Sequence, residues 1–218
     1  MRTGDNMERH KIDDLLQPES IAVVGASPDS RYSGNLIENL LEYGFEGTLY
    51  PVNPNRDRAF DRKCYDEVSD LPESPDLAIV SIPREYVVET VKQAAEQGID
   101  AVLVITAGFS ESDDRGKELE KELQTVAEEN GIALSGPNTI GFANASDSVT
   151  ASAICSREPR EGSIALLSQS GALAFATFFD RARDKDVDFS KIIATGNETG
   201  LSMTEYIEYL AETRRPRS

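Results

Sequence analysis

Short apolar runs alternate with amphipathic segments along this chain of 218 residues, and this alternation limits the fold more than any other feature. From residue 20 onward we predict five buried strands, at residues 21–24, 48–52, 77–81, 101–105 and 133–135. Between strands, apolar residues recur every three or four positions, which is typical of helices that pack one face on a sheet. Parallel strands are apolar throughout because both of their faces are buried. The pattern predicts a doubly wound α/β domain whose ligand crevice lies beyond the carboxyl ends of the strands.

A second α/β unit is predicted after a connecting segment. Residues 146–162 lack a long periodic pattern and contain Pro159 and Gly162, so we interpret them as a linker. Strands are then predicted at residues 163–168 and 192–195, and helices at residues 172–183 and 203–211. Because two parallel strands cannot bury both of their faces, we interpret this unit as an incomplete domain. The tail RRPRS at residues 214–218 breaks the acidic helical pattern, which is consistent with a shortened end. The predicted organisation is a polar arm at 1–19, a first domain at 20–145, the linker at 146–162 and a partial domain at 163–218.

Charge and hydropathy exclude several classes of protein. The net charge of −17 has the wrong sign for binding a nucleic-acid backbone, so we expect no nucleic-acid partner. No apolar run is long enough to cross a membrane, and the first twenty residues do not resemble a secretory signal, so we expect a cytoplasmic protein that does not contact membranes. The scattered carboxylates are interpreted first as solvated helix faces. The alternative hypothesis is adaptation to high salt, which unfolding at low ionic strength would support.

Cysteine and histidine are too few for several kinds of chemistry. Cys64 and Cys155 are far apart and form no CxxC motif, so we predict reduced thiols. The single histidine, His10, lies in the polar arm and is interpreted as a solvated residue. We therefore assign no catalytic residue and expect no metal site.

The first predicted strand ends in a glycine turn. Gly25, Ala26 and Ser27 follow this strand, and Gly34 lies at the start of the next helix. Backbone amides in such a turn, together with the positive end of a helix, favour the binding of a phosphate group. The spacing differs from GxGxxG, and a glycine turn can also be purely structural. We favour phosphate binding because the turn lies at the first βα junction.

The end of the second strand carries no carboxylate, although nicotinamide-binding domains usually place one there to bind the ribose hydroxyls. The segment instead offers neutral and cationic donors from Asn53, Arg56 and Arg58, next to Pro54. Such donors suit an additional phosphate on the ribose. For either arginine alone, an ordinary solvated loop charge is an equally good interpretation.

Small and polar residues also follow the next three strands. They are Ser81, Ile82 and Pro83 after the third strand, Thr106, Ala107 and Gly108 after the fourth, and Pro137 and Asn138 after the fifth. Side chains of this size leave backbone amides open and provide room for a long, thin ligand. Each group alone is also compatible with simple turn chemistry.

The segment Ser168-Gln169-Ser170-Gly171-Ala172 joins a predicted strand to a predicted helix. A serine at such a junction has the geometry of a hydrolase nucleophile, but the leading glycine of GxSxG is missing and no suitable histidine follows. We predict instead an anion cradle, formed by Ser170 and the amides of Gly171 and Ala172 at a helix N-terminus.

Taken together, these residues resemble the CoA-binding module of the NDP-forming acyl-CoA synthetases, which include succinyl-CoA synthetase α subunits and ADP-forming acetate-CoA ligases. The matching strings are SIAVVGAS from Ser20, GTLYPVNPN from Gly47, DLAIVSIP from Asp76, VLVITAGFSE from Val102, GPNTIGF from Gly136 and IALLSQSGALA from Ile164. Six strings in this order cover nearly the whole chain. The resemblance implies a Rossmann-like CoA-binding domain followed by an incomplete flavodoxin-like domain.

The resemblance also implies roles for particular residues. Residues 25–27 would hold the CoA phosphates, Asn53 and Pro54 would flank the adenine nucleotide, and residues 81–83 would line the cofactor. Residues 106–108, with Pro137 and Asn138, would lead the pantetheine thiol toward the reaction centre. Asn55 stands where the family commonly has Lys, so Arg56 is expected to make that phosphate contact.

In the family, a phosphorylated histidine faces the cradle and shuttles phosphate from acyl phosphate to a nucleoside diphosphate held by an ATP-grasp domain or subunit. This chain contains neither element, so we expect it to bind CoA without completing the ligase cycle alone, and to need a β-type ATP-grasp partner or a homo-oligomer. Two alternatives remain open. One is a CoA- or nucleotide-sensing module without chemistry, and the other is an NAD(P)-dependent oxidoreductase.

Overall fold

The structure is a computed structural model that describes residues 11–213. The strands are β1 (Ser20–Val24), β2 (Thr48–Val52), β3 (Arg58–Ala59), β4 (Arg62–Lys63), β5 (Leu77–Val80), β6 (Ala101–Val104), β7 (Ala133–Ser135), β8 (Gly141–Asn144), β9 (Val149–Ser152), β10 (Ile164–Ser168) and β11 (Phe189–Ala194). The helices are α1, described over residues 11–16, α2 (Ser33–Glu42), α3 (Val87–Glu96), α4 (Asp114–Asn130), α5 (Asp180–Arg183) and α6 (Met203–Thr213). A π-helical segment, Ala172–Phe179, leads into α5. His10 and the tail at residues 214–218 lie outside the described residues.

The first sheet consists of five parallel strands in the order β2-β1-β5-β6-β7. These are the five predicted strands, confirmed to within one residue at each end. Alternate residues of each strand face opposite sides, so Ile21 and Val23 belong to one apolar core with α2, whereas Ala22 and Val24 belong to another with α3 and α4. The helices cover both faces, as a doubly wound fold requires. Strand order reverses between β1 and β5, where such folds bind their ligands.

The second sheet has four strands in the order β10-β11-β8-β9. β10 and β11 are parallel, as predicted, but β11 also pairs antiparallel with β8, and β8 pairs with β9. Strand β9 thus lies within the predicted linker, and β8 lies within the range predicted for the first domain. Both strands contain only four residues, most of them small or polar, so their sequence carries little strand periodicity. The hairpin is tight: a Cβ at Gly141 would lie 1.9 Å from the Ala151 carbonyl oxygen.

Helices α1 and α6 join the two sheets into one packed body. Leu15 and Leu16 of α1 are fully buried in the same core as Tyr206 of α6 and Ile193 of β11. The end of the predicted polar arm is therefore an amphipathic helix that completes the core. Its apolar residues are spaced three and four positions apart, but charged residues surround them, so the segment is polar in overall composition.

Within residues 11–213, no helix is long and apolar enough to cross a membrane. In the same residues, no group of three or more His, Cys, Asp or Glu side chains is arranged to hold a metal ion. Cys64 and Cys155 are buried and form no disulfide within the described residues. Burial raises the pKa of Cys155 to about 12, so this thiol stays protonated at neutral pH.

Candidate functional site

The centre of the candidate site is the contact between the carboxyl ends of β1 and β5. The Ser81 amide donates to the Val24 carbonyl at 2.9 Å, and the Gly25 amide donates to the Val52 carbonyl at 2.9 Å. Gly25 has φ +86°, and a Cβ at this position would lie 2.2 Å from the Ser81 carbonyl oxygen. Only glycine allows the loop after β1 to pass this close to β5.

The loop between β1 and α2 is fixed from within. The Ser33 hydroxyl donates to the Gly25 carbonyl at 2.7 Å, and the Ser30 amide donates to the Ser27 carbonyl at 3.0 Å. Gly25 and Ser27 are half-buried, whereas the side chain of Ala26 is fully buried in the core. Of these three predicted residues, Ala26 therefore shapes the loop from beneath instead of presenting a side chain to a ligand.

The segment after β2 leans onto the same loop. The Asn53 side-chain amide donates to the Ala26 carbonyl at 2.8 Å, and the Arg56 guanidinium forms an ion pair with Asp29. Pro54 is exposed beside them. Arg58 instead donates to the Asp61 carbonyl in the β3–β4 hairpin at 2.7 Å. The structure thus brings Arg56, but not Arg58, into contact with the β1–α2 loop.

The ends of β5 and β6 are joined by one threonine side chain. The Thr106 hydroxyl donates to the Ile82 carbonyl at 2.8 Å and accepts from the Ile82 amide at 3.2 Å. Ser81 and Ile82 are half-buried, and Pro83 and Ala107 are exposed. These predicted residues therefore lie side by side along the edge of the sheet.

Arg84, which the sequence does not single out, holds the next part of this edge. Its guanidinium donates to the Gly108 carbonyl and forms two hydrogen bonds with the Asp113 carboxylate, at 3.1 and 3.0 Å. Asp113 also caps α4 by accepting from the Gly116 amide at 2.7 Å. The Arg84 hydrogen bonds, followed by this backbone bond, lower the pKa of Asp113 below its ordinary value. Arg84 is thus engaged in shaping the loop around Gly108.

The turn after β7 lies against the end of β6. The Asn138 amide donates to the Thr106 carbonyl at 2.9 Å, and Asn138 itself has φ +59°. The Gly136–Pro137 peptide bond is cis, and Pro137 is buried. Pro137 thus lies beneath the turn, and the half-buried Asn138 lies at the end of β6 through its bond to Thr106.

The loop after β11 reaches across to this turn, which sequence reasoning did not anticipate. The Asn197 backbone amide donates to the Pro137 carbonyl at 2.9 Å, and the Asn197 side chain donates to Glu111 at 2.8 Å and to Glu120 at 2.9 Å. The sequence does contain one indication of this loop. Residues Thr195 to Thr199 are small and polar and follow a strand, like the residues after the strands of the first sheet.

Both glutamates have a pKa below the ordinary value. Burial alone would raise the pKa of Glu111, but hydrogen bonds from the Asn197 side chain and from the Gly108 and Phe109 amides outweigh it. Burial would likewise raise the pKa of Glu120, and hydrogen bonds from Ser110 and Asn197 reverse the direction. Both groups are therefore carboxylates at neutral pH.

The predicted anion cradle lies at the ends of β10 and β11. The Ser168 hydroxyl donates to the Ser170 carbonyl at 2.9 Å, and the Ser170 hydroxyl accepts from the Leu173 amide at 3.3 Å. A Cβ at Gly171 would lie 2.0 Å from Ile140 Cγ1, so this glycine allows the helix to pack on the segment that follows Asn138. The cradle thus adjoins the far end of the crevice through Ile140.

The chain is similar to known proteins in sequence and in structure. Residues 19–145 match a family model described as CoA binding domain, and residues 161–218 match one described as succinyl-CoA ligase like flavodoxin domain. The trans-feruloyl-CoA synthase FCS1 of an unknown prokaryotic organism is 39% identical over 207 residues, which are 93% of this chain and 29% of that protein. Subunit alpha of the ADP-forming acetate–CoA ligase II of Pyrococcus furiosus is 36% identical over 208 residues, which are 95% of this chain and 45% of that subunit.

Solved structures agree with the fold. The crystal structure of PH0766 from Pyrococcus horikoshii OT3 superposes with a TM-score of 0.86 at 37% identity, covering 93% of this chain and 46% of that one. The acetyl-coenzyme A synthetase 1 of Candidatus Korarchaeum cryptofilum, in complex with phosphate and ADP, gives a TM-score of 0.86 at 34% identity, with coverage of 94% and 43%. This chain spans less than half the length of all four proteins.

These matches confirm the predicted fold class, a Rossmann-like domain followed by part of a flavodoxin-like domain. The CoA model covers more than half of the chain and includes the ends of β1, β2, β5, β6 and β7 that form the crevice. The chain belongs to the CoA binding domain family, and coenzyme A is the ligand that this membership assigns to it.

Proposed function

We propose that this chain is the CoA-binding, α-type part of an NDP-forming acyl-CoA synthetase of the ADP-forming acetate-CoA ligase type. The observation that carries the proposal is the glycine-bounded contact between β1 and β5, around which Asn53, Arg56 and Thr106 converge. A groove bordered by strand ends at the switch point suits a ligand with a pyrophosphate at one end and a slender arm at the other.

In this proposal, CoA lies along the carboxyl edge of the first sheet. Its pyrophosphate contacts Gly25, Ser27 and the start of α2, and its adenine nucleotide lies beside Asn53 and Pro54. The pantetheine arm runs past residues 81–83 and 106–108 toward Asn138. Ala26 and Pro137 support the loops from beneath, because both are buried.

The proposed reaction of the complete enzyme converts acyl-CoA, ADP and phosphate into acid, CoA and ATP. Ser170 and the amides of Gly171 and Ala172 would hold the transferred phosphate, since a helix N-terminus carries partial positive charge. The phosphohistidine of the family has no counterpart in this sequence, in which His10 is the single histidine. We therefore infer that the chain alone binds CoA, and that turnover requires both the family histidine and an ATP-grasp domain from outside this chain, the latter on a β-type partner. A homo-oligomer, the other proposed assembly, supplies neither element and would bind CoA without turnover. A cytoplasmic location is part of the same proposal, and adaptation to high salt is the alternative explanation of the scattered carboxylates, after solvated helix faces.

Calorimetric titration tests the proposed ligand. We expect CoA to bind the purified chain with a dissociation constant in the micromolar range, and NADH and NADPH to bind at least about tenfold more weakly, a difference of about 1.4 kcal/mol. We also expect the chain alone to form no acetyl-CoA from acetate, ATP and CoA. Preferential binding of a nicotinamide nucleotide would support the oxidoreductase alternative instead. Binding of CoA without any activity when a histidine-bearing flavodoxin-like part and an ATP-grasp subunit are both supplied would favour a sensing module.

Arg56 is expected to contact the phosphate on the ribose of CoA. The Arg56→Ala variant should bind CoA about three- to tenfold more weakly, because an exposed charge-assisted hydrogen bond is lost, and should bind dephospho-CoA as the wild type does. Arg58→Ala is the matched control, since Arg58 is committed to the β3–β4 hairpin. Equal losses for the two variants, or equal losses for the two ligands, would contradict this assignment.

A further inference from the structure

We propose that Asn197 is a positioning residue. It lies in the loop after β11 of the second sheet, and it sets the shape of residues 106–111 of the first unit, which we call the CoA-binding loop. The inference rests on the proposed function of that loop. Asn197 lies outside the family match to the CoA binding domain, which ends at residue 145.

The CoA-binding loop is held by two carboxylates acting on consecutive amides. Glu111 accepts from the Gly108 amide at 2.6 Å and from the Phe109 amide at 3.2 Å. Glu120 of α4 accepts from the Ser110 amide at 2.9 Å. Three successive backbone N–H groups are thus hydrogen-bonded to carboxylates.

Asn197 holds these two carboxylates together. Its side-chain nitrogen lies 2.8 Å from Glu111 Oε2 and 2.9 Å from Glu120 Oε2, so one amide group bridges two negative charges. Its side-chain oxygen accepts from the Asn138 side-chain amide at 3.2 Å, and its backbone amide donates to Pro137. Asn197 therefore contacts both loops between which the pantetheine arm would pass.

An asparagine suits this position for a chemical reason. A primary amide has two hydrogens, one for each carboxylate, and an oxygen for Asn138. Aspartate has the same shape but would place a third negative charge against two others. Alanine would leave the two carboxylates without the donor that lies between them.

Among the described residues, three glutamates and one arginine lie around Asn197. Glu111 and Glu120 face Asn197 from the first unit, and the adjacent Glu198 is engaged by the Thr195 hydroxyl and the Met203 amide. Arg84 lies on the other side of the loop, where it binds Gly108 and Asp113. Arg84 is thus committed to other acceptors, so an aspartate at position 197 would remain repelled at neutral pH.

The experiment compares Asn197→Asp and Asn197→Ala with wild type by CoA titration at pH 7.5 and pH 5, with urea unfolding in parallel. We expect Asn197→Asp to lose at least about tenfold in CoA affinity at pH 7.5, and to recover part of it at pH 5, where a protonated carboxyl donates again. Asn197→Ala should lose about fivefold in CoA affinity at pH 7.5 and should recover less of it at pH 5 than Asn197→Asp does, because alanine cannot donate at any pH.

The matched control is Asn39→Ala, because the Asn39 side chain donates to the Ser152 carbonyl at 2.9 Å and so joins α2 to β9 in a buried contact. It should lose stability but keep its CoA affinity within about twofold. The inference would be overturned if Asn197→Asp bound CoA within twofold of wild type, or if its loss of CoA affinity equalled that of Asn39→Ala. If wild type itself fails to bind CoA, the proposed function fails instead.

A second measurement does not require CoA. In the unliganded protein, hydrogen exchange of the amides at residues 108–110 should be at least about tenfold faster in Asn197→Ala than in wild type, while exchange in β1 and β5 stays unchanged. Unchanged exchange at residues 108–110 would overturn the inference even if CoA binding were altered.

Discussion

Replacing Gly25 with alanine is expected to abolish CoA binding at concentrations that saturate the wild type, with a loss of at least about a hundredfold. At φ +86° a side chain costs about 1–2 kcal/mol, and the new Cβ would also lie 2.2 Å from the Ser81 carbonyl oxygen. The contact can be relieved only if the β1–α2 loop moves away from β5, and this would displace the loop that we propose holds the CoA phosphates. We expect a loss of about 2–4 kcal/mol in the free energy of unfolding as well.

The control for this variant is Gly98→Ala. Gly98 has φ +84°, almost the same as Gly25, but the nearest atom to its Cβ would be Ser74 Oγ at 3.6 Å. The control therefore carries the cost of the left-handed backbone without the clash, at a position outside the crevice. We expect it to lose about 1–2 kcal/mol of stability and no CoA affinity. If the two variants bound CoA equally well, the close approach of β1 and β5 would not be what forms the site.

Removing the side chain of Tyr206 is expected to have the largest effect on stability. Tyr206 is fully buried between α6 and the first sheet, and its hydroxyl donates to Ser135 Oγ at 2.9 Å. Burial raises the pKa of this hydroxyl, so it stays protonated throughout the neutral range. Tyr206→Ala should lower the free energy of unfolding by about 3–5 kcal/mol, measured by urea denaturation, because it leaves a large cavity where the two units meet.

Two further variants separate packing from hydrogen bonding at Tyr206. Tyr206→Phe keeps the ring and should cost about 1 kcal/mol for the lost hydrogen bond. Ile207→Ala changes the neighbouring residue, which is 54% exposed, and should stay within about 0.5 kcal/mol of wild type. A loss below 1 kcal/mol for Tyr206→Ala would mean that α6 does not join the units as described.

The sequence predicts the first sheet well because its strands are short, apolar and buried on both faces. Strands β8 and β9 escape prediction because residues such as Gly141, Asn144 and Ser152 give no clear period of two. Their pairing with β11 depends on a long-range approach that sequence patterning does not encode. Helix α1 is overlooked for a different reason, since its apolar stripe lies in a segment whose composition is dominated by charge.

The candidate site, too, could be predicted from the sequence only in part. Strand ends locate Gly25, Asn53, Ser81 and Thr106 correctly along one edge, because parallel strands present their carboxyl ends together. The sequence alone does not distinguish Arg56 from Arg58 as a candidate phosphate ligand. In the structure, the ion pair with Asp29 brings Arg56 to the β1–α2 loop, whereas Arg58 bonds within the β3–β4 hairpin. The contacts of Asn197 with Glu111 and Glu120 join residues 77 to 86 positions apart, and no local pattern predicts such contacts.

The central claim, that CoA occupies the edge formed by β1, β2, β5 and β6, is tested most directly by backbone amide chemical-shift mapping of the chain during titration with CoA. We expect the largest shifts at Gly25, Ser27, Asn53, Ile82 and Gly108, and we expect them to saturate together with a single dissociation constant. Saturating shifts confined to other parts of the chain, or no shifts at millimolar CoA, would contradict this claim.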